Sequence, residues 1–548
     1  MLAAQFSATA VFCPVATVLL TREAHTSPFF SNCGPPNPVM YPLPVMMADL
    51  ASRLDDLRPT VLKLMAIGGT PGVSLGLMVK GKQVYQANYG YRDASKKLPI
   101  NEDTTNPVCS MTKAVTSAAM GILVEENKVQ WDTLVKDALP GFHISDDILQ
   151  NQMTITDLLC HRAGLSWADK LIIGTENNVL VSGDDAMKFF NSQTRLMPFR
   201  GAFAYNNMGY EIAGKVIEAL NNVGACYNTL DEGIYAQIPC VKLGDNGFGS
   251  AHAGMRRCVN DLMKLYNAFI SSFNDQFATG KSATKGSPLK QVKELMSAKI
   301  PMGQPTKNEV SYGLGWARIQ LPGAMGQIGI NPDLLPEGMP IVGKEVSSQL
   351  LIFHQGSLPG ALSIVILLPE SQSAIFVTTN SLALNDVPDW IGQLFLEALL
   401  EVPSAARNDY IKAAEKTRAE NLKWYPNLIQ ELKQAQENGT SPRNFEDYAG
   451  TYWDKYGIFK IIVTVQEGKL YWKLQGLESE KFELSHYQND SFTWLATRNE
   501  LSRRGRWVGG DQGPDFWKVE FKTASEGKIS HLSWSHDNGV LANVYIKS

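Results

Sequence analysis

The sequence predicts a mixed α/β body followed by a small antiparallel β-barrel, and three observations carry this. Apolar residues recur at helical spacing in several long stretches before Glu401. Between those stretches lie paired apolar β-runs, Gly72 to Val79 with Val84 to Tyr91, and Gln349 to Phe353 with Ala361 to Leu368. After Tyr448 the pattern changes to short strands separated by turns rich in Gly, Asn and Asp. At 548 residues the chain exceeds one ordinary core, so a large body with an appendage is expected. The expected organisation is a disordered or leader segment over 1–45, the body over 46–402, a helical connector over 403–445 and the barrel over 446–548.

Composition narrows the function classes. The formal net charge of -4 and the absence of a basic stripe exclude a nucleic-acid partner, and no apolar run is long enough to span a bilayer. Seven scattered cysteines without a C-x-x-C pair argue against a disulfide framework or structural zinc, so reduced thiols in a cytoplasmic protein are expected. Secretion is the alternative, because Ala8 to Leu20 is apolar enough for a signal core. No Lys or Arg precedes that run, however, and Pro14 interrupts it. Ser27 to Pro44, rich in Pro, Asn and Gly, reads as a disordered lead.

Along the chain, Met47 to Ala66 repeats Leu50, Leu54, Leu57, Val61 and Met65 as one helix, ending at Gly68-Gly69. The next two runs, joined by Lys80-Gly81-Lys82, form a β-hairpin. Within it Gly72-Val73-Ser74-Leu75-Gly76 matches the G-x-S-x-G of a nucleophile elbow, which needs a strand turning sharply into a helix. Here the run continues as strand, so Ser74 is a mid-strand residue. A helix carrying Ser110 in its first turn runs to about Glu126. His161, in His161-Arg162-Ala163-Gly164-Leu165, reads as a helix-end residue stopped by Gly164. Further helices are expected from Glu211 to Leu220 and from Gly254 to Phe273. Tyr312-Gly313-Leu314-Gly315-Trp316 begins a strand, and the Gly-, Pro- and Met-rich stretch 322–346 is a long loop over the site. Val387 to Leu400 closes the body. Arg407 to Trp424 and Pro426 to Gln436 read as two helices, Pro426 opening the second. The barrel draws on 459–465, 469–474, 491–495, 515–522 and 529–533, with Trp453, Tyr471, Trp472, Trp494, Trp517 and Trp534 as its core.

Three clusters carry chemistry. Ser110 and Lys113 are three apart on a helix and share a face, so the amine reaches the hydroxyl. A desolvated lysine with a lowered pKa activates an alcohol, and the N–H groups of a helical first turn favour an oxyanion. Tyr205 and Asn207, two apart in an extended segment ahead of a helix, project to the same side. A phenol beside a cation loses its proton more readily, which casts Tyr205 as general base and then acid. Asn207 holds the lysine and a substrate amide. The third cluster is His354-Gln355-Gly356-Ser357, in a bend between two β-runs on an edge strand. Gly356 permits close backbone approach to a ligand, and the Ser357 N–H joins that of Ser110 as an oxyanion donor.

Ser110-x-x-Lys113, Tyr205-x-Asn207 and His354-x-Gly356, in that order, with Leu158 to Leu165 and Tyr312 to Trp316 around them, resemble the family of class C β-lactamases, penicillin-binding-protein-like esterases and D-amino-acid peptidases. The likeness covers roughly Ala48 to Glu401. It implies a central antiparallel sheet flanked by helices, plus an all-helical region, with the site between them. It also implies Ser110 as acylated nucleophile, Lys113 as its activator, Tyr205 as proton shuttle, Asn207 as a positioning residue and His354 on the third wall. Class C β-lactamases carry Lys-Thr-Gly where this chain has His354-Gln355-Gly356. A histidine is mostly neutral at pH 7, so attraction for an antibiotic's carboxylate is weaker, which favours esters, thioesters or amides. The C-terminal strands resemble the lipocalin-like appendage of some members.

The sequence therefore predicts a serine hydrolase that acts through an acyl-enzyme on a small-molecule acyl substrate, without cofactor or metal. Its alternative is an acyltransferase or thioesterase of specialised metabolism, passing the acyl group to an alcohol or amine. A non-catalytic binding module conflicts with the intact Ser110, Lys113 and Tyr205, and a metalloenzyme lacks H-x-H or H-E-x-x-H spacing.

Overall fold

The computed structural model describes residues 45–220, 226–229, 235–238, 249–304, 306–510, 512–537 and 539–548. The expected leader lies outside them except for its last residue. The first helix is split into α1 (Val45–Asp55) and α2 (Arg58–Gly68). Pro59 is the cause: it lacks an N–H and disfavours a helical residue before it, so it starts a helix instead of continuing one.

Strands β1 (Gly72–Val79), β2 (Lys82–Asp93) and β3 (Leu98–Pro99) follow. Ser74 is buried in mid-strand, paired with Asn88 and Thr378. Helices α3 (Thr112–Glu125), α4 (Ile155–Leu159) and α5 (Asn207–Leu220) belong to the helical region, and α6 (Val259–Thr279) returns the chain to the sheet. α5 begins at Asn207, earlier than expected, and α6 starts and ends later than its apolar repeat suggested.

β4 (Ile300–Pro301), β5 (Val310–Tyr312), β6 (Ala317–Leu321), β7 (Gln349–Leu358), β8 (Ala361–Leu368) and β9 (Ser373–Thr379) complete a nine-stranded antiparallel sheet of order β3-β2-β1-β9-β8-β7-β6-β5-β4. Every residue of β8 and β9 is buried, which a strand shows only when both sheet faces are covered. α6 packs on β1 and β9, and α7 (Val387–Leu399) packs on β8 and β9.

Four expectations near the site need correction. Tyr312 ends β5, and Gly313 to Trp316 is the turn joining β5 to β6, made possible by Gly315 at φ 85°. β7 runs unbroken through His354 to Leu358 because Gly356 keeps its pairing with Ser363, and the bend is confined to Pro359-Gly360. β7 is also not an edge strand along its whole length. Residues 349–353 pair with β6 and 352–358 with β8, so only 352 and 353 have both neighbours, whereas 354–358 pair with β8 alone among the described residues. The stretch 322–346 holds a short ladder, Gly323–Ala324 with Ile341–Val342. Its Asn331 Nδ2 donates to Asp389 at 2.9 Å and Glu337 pairs with Lys416, which anchors it on the helices beyond the sheet instead of over Ser110.

The connector is a single helix, α8 (Tyr410–Ala435), with Pro426 inside it. An interior proline costs about 3 kcal/mol. Docking on both sides of it, through buried Ala414 and Thr417 and then Leu428 and Leu432, holds the helix together. The barrel is closed and has eight strands: β10 (Gly450–Asp454), β11 (Lys460–Gln466), β12 (Lys469–Leu474), β13 (Lys481–Gln488), β14 (Ser491–Thr493), β15 (Lys518–Thr523), β16 (Ile529–Trp534) and β17 (Asn543–Lys547). Trp472, Trp494, Trp517 and Trp534 fill it, with Trp494 and Trp517 ring centres 4.5 Å apart. Trp453 and Tyr471 are half-buried and stand outside that core. No helix among the described residues is long and apolar enough to cross a membrane.

Candidate active site

Ser110 sits in a 3₁₀ turn, Cys109–Met111, just ahead of α3 and not in its first α-turn. Cys109 adopts φ 50°, a left-handed conformation that costs a non-glycine residue energy unless its surroundings impose it. Those surroundings are explicit. Val108 N–H donates to Met255 O at 3.0 Å, Ser363 Oγ donates to Val108 O at 3.0 Å, and Thr112 Oγ1 donates to Cys109 O at 2.6 Å. Gly356 on β7 lies against the same backbone: a Cβ there would stand 2.6 Å from Val108 O and 2.9 Å from Cys109 Cβ. Its glycine thus admits the turn that carries Ser110, where the sequence suggested a ligand. Cys109 is buried, and burial pushes its thiol up to about 12, so it does not compete with Ser110.

Lys113 is fully buried in the first turn of α3. Its Nζ donates to Ser110 Oγ at 3.0 Å, to Asn207 Oδ1 at 2.7 Å and to His252 O at 3.2 Å. As an ammonium it has an acceptor for each of its three protons, and as an amine it turns a lone pair to Ser110. Burial lowers it to about 7, against the opposing pull of Asp169. Burial thus makes the free amine accessible near neutral pH.

Tyr205 is half-buried on the loop before α5, its ring 4.8 Å from Lys113 Nζ. The expected acidification of this phenol does not hold. Burial drives it well above its ordinary value, outweighing the hydrogen bond with Ser110 that pulls it down. Tyr205 thus keeps its O–H beside the Lys113 amine.

Asn207, the first residue of α5, bridges two charges. Its Oδ1 accepts from Lys113 and its Nδ2 donates to Asp169 Oδ2 at 2.7 Å. Asp169 was not found from sequence; no local pattern marks it, and only the fold brings its 3₁₀ turn to α5. His161 is the helix-end residue expected, at φ 59° after α4, and it is also part of this cluster. Its ring stacks 4.3 Å from that of Tyr205, and its Nδ1 accepts from Asn206 N–H at 3.0 Å.

His354 is fully buried behind Tyr205, its ring 6.4 Å away, and presents no open wall. Its Nδ1–H donates to Gln355 O, so Nε2 accepts from Tyr312 Oη at 2.9 Å. Burial, with the Lys113 charge nearby, lowers it to about 3, so it is neutral. Ser357 lies half-buried on the part of β7 that lacks a second neighbour among the described residues, and β7 packs on the Ser110 turn. Among the described residues no group of three His, Cys, Asp or Glu side chains is placed to hold a metal.

Residues 57–230, which contain Ser110, Lys113, Tyr205 and Asn207, match the Beta-lactamase family, and 434–543 match a domain of unknown function (DUF3471). The chain is 23% identical over 391 residues to unguisins hydrolase ungD' of Aspergillus campestris, covering 67% of each chain. It is 27% identical over 153 residues to Protein flp of Staphylococcus aureus, a match that spans only 30% of that protein. Similar solved structures include the octameric penicillin-binding protein homologue from Pyrococcus abyssi (TM-score 0.48, 18% identity, covering 90% of this chain and 99% of that one). Another is a class C beta-lactamase mutant (TM-score 0.45, 15% identity, 64% and 98%). Residues 57–230 thus match the Beta-lactamase family, and the chain carries a closed β-barrel towards its C-terminal end.

Proposed function

We propose that this protein is a serine hydrolase that works through an acyl-enzyme on ester, thioester or amide substrates. The observation that carries the reading is the 3.0 Å contact of Ser110 Oγ with the amine of a fully buried lysine, whose burial lowers it to about 7. Lys113 takes the Ser110 proton as Oγ attacks the carbonyl carbon. The oxyanion is held by the N–H groups of Ser110 and Ser357. As the intermediate collapses, Tyr205 gives its proton to the leaving group, and the Lys113 ammonium beside it returns a proton to the phenolate. Water then enters by the reverse route and releases the acid.

A neutral, buried His354 puts no cation at the third motif to meet a substrate carboxylate, which supports uncharged acyl donors over β-lactam antibiotics. The name of the Aspergillus relative supports hydrolysis ahead of transfer to an alcohol or amine. The test is intact-mass detection of an acyl adduct across p-nitrophenyl esters, acyl-thioesters and a β-lactam, with and without a competing amine. The expected result is an adduct from the esters that is lost in Ser110→Ala and cleared by water. Faster turnover of the lactam than of the esters overturns the substrate ranking, and amide product in place of acid overturns hydrolysis in favour of transfer.

A further inference from the structure

Residues 168–180 lie between the α/β body and the barrel and are tied to both. On the barrel side, Ala168 N–H donates to Asp537 Oδ2 at 3.0 Å, from the turn between β16 and β17. Thr175 Oγ1 donates to Glu480 Oε2 at 3.0 Å, and the same carboxylate accepts from Arg506 Nη1 at 3.0 Å in a fully enclosed ion pair. Asn178 Nδ2 reaches Ser479 Oγ at 2.9 Å, and Gln475 Nε2 reaches Leu180 O at 2.6 Å. On the body side, Asn177 Nδ2 donates to Pro359 O at 3.1 Å, in the turn that follows Ser357. Ala168 itself is held at φ 57°, a conformation these contacts impose.

Asp169 follows directly, and its carboxylate accepts the Asn207 amide. That bond decides which way the amide faces. With Nδ2 on the carboxylate, Oδ1 is left for Lys113 Nζ; a flipped amide would set a donor against the lysine and an oxygen against Asp169. We propose that Asp169 is a positioning residue that locks Asn207 onto Lys113, and that the C-terminal barrel, through Asp537 and the Glu480–Arg506 pair, holds Asp169 where it can do so. The barrel then belongs to the machinery that sets the base. This rests on the acyl-enzyme reading above.

The charged groups facing Asp169 are Lys113 from α3, Lys170 from its own turn and Asp537 from the barrel. Burial raises its carboxyl to about 7 and Asp537 adds to that rise, while Asn207, Lys170 and Lys113 oppose it. Lys113 in turn faces Asp169, Cys109, His161, His252 and His354. The Asp169 charge supports the lysine's proton, so removing that charge moves the Lys113 midpoint to lower pH.

The test is the single-turnover rate of Ser110 acylation by a p-nitrophenyl ester from about pH 5 to 9, in the full chain, for wild type, Asp169→Ala, Asp169→Asn and Asp537→Ala. Asp169→Ala is expected to slow acylation about tenfold or more, the rate equivalent of a charge-assisted hydrogen bond, with KM little changed. Asp169→Asn keeps an acceptor for Asn207 and is expected to recover most of the plateau while still shifting the midpoint down. It also decides the matter if the alanine variant does not fold. Asp537→Ala is expected to slow the step in the same direction by a smaller factor. Folded Asp169 variants with unchanged rate and midpoint overturn the inference and leave the acyl-enzyme standing. A wild-type rate from Asp537→Ala overturns the barrel's part in it. Absence of any Ser110 adduct in the wild type removes the parent reading and this inference with it.

Discussion

Gly356→Ala tests how the site is assembled. An added Cβ would stand 2.6 Å from Val108 O, 2.6 Å from Ser363 Oγ and 2.9 Å from Cys109 Cβ. Ordinary contacts of this kind lie at about 3.5 Å, so the shortfall is roughly 0.6–0.9 Å. Two of the three obstacles are in the residues that precede Ser110, and the third, Ser363 Oγ, is hydrogen-bonded to Val108 O at 3.0 Å. Relief therefore comes from moving the 3₁₀ turn away from β7, which shifts Ser110 against Lys113 and spreads the distance between Ser110 and Ser357. A misplacement near 1 Å costs about 100-fold in rate, and the overpacking costs about 1–3 kcal/mol of stability. The assay is the burst rate of p-nitrophenol release, with a thermal melt as control. Gly360→Ala provides the contrast, since Gly360 has φ 90° but open space around it, so alanine there strains the turn without pressing on Ser110. A folded Gly356→Ala protein that acylates at the wild-type rate would refute the assembly described here.

Lys113→Met is expected to abolish acylation and to raise stability. Holding an amine at about 7 instead of 10.5 costs on the order of 4 kcal/mol at neutral pH and below. The unfolded chain binds the extra proton, so this penalty is full below about pH 7 and fades as pH rises toward 10.5; melts of both proteins across pH should converge at the alkaline end. Tyr205→Phe should lower kcat by about 10²–10⁴ for alkyl esters and by much less for p-nitrophenyl esters, whose leaving group needs no proton. Steady-state kinetics on the two ester classes check this. Glu480→Ala leaves Arg506 buried without its carboxylate partner and should cost about 3–5 kcal/mol, read as a lowered melting midpoint.

Much of the site was legible because its motifs are local. Ser110 with Lys113, and Tyr205 with Asn207, are close in sequence, and helix or loop geometry alone puts each pair on one side. What escaped was set by tertiary packing. Asp169 and Asp537 meet the site from a 3₁₀ turn and a barrel turn, with nothing in their spacing to mark them. Tyr205 was read from its cation alone, but burial acts on a phenol in the opposite direction and wins. The resemblance implies His354 on the third wall, whereas strand alternation turns it with Gly356 toward the Ser110 turn, where it is sealed behind Tyr205 and Tyr312. In the barrel, a bulge between His486 and Gln488 interrupts the alternation of β13. β17 exposes Val544 and Ile546 and buries Tyr545, so its apolar run masks the inward face. The mixed α/β body and the barrel followed from periodicities that span whole elements, whereas the central antiparallel sheet and the all-helical region are what the family resemblance implied.

The central claim is that a buried amine, deprotonated near neutral pH, makes Ser110 a nucleophile. Its most direct test is the pre-steady-state acylation rate of the wild-type chain against pH, with the modified residue located by mass. The account predicts one adduct, on Ser110, with a rate that climbs about tenfold per pH unit up to about pH 7 and is level above it. A rate that ignores pH across that range, or an adduct that persists in Ser110→Ala, would contradict it.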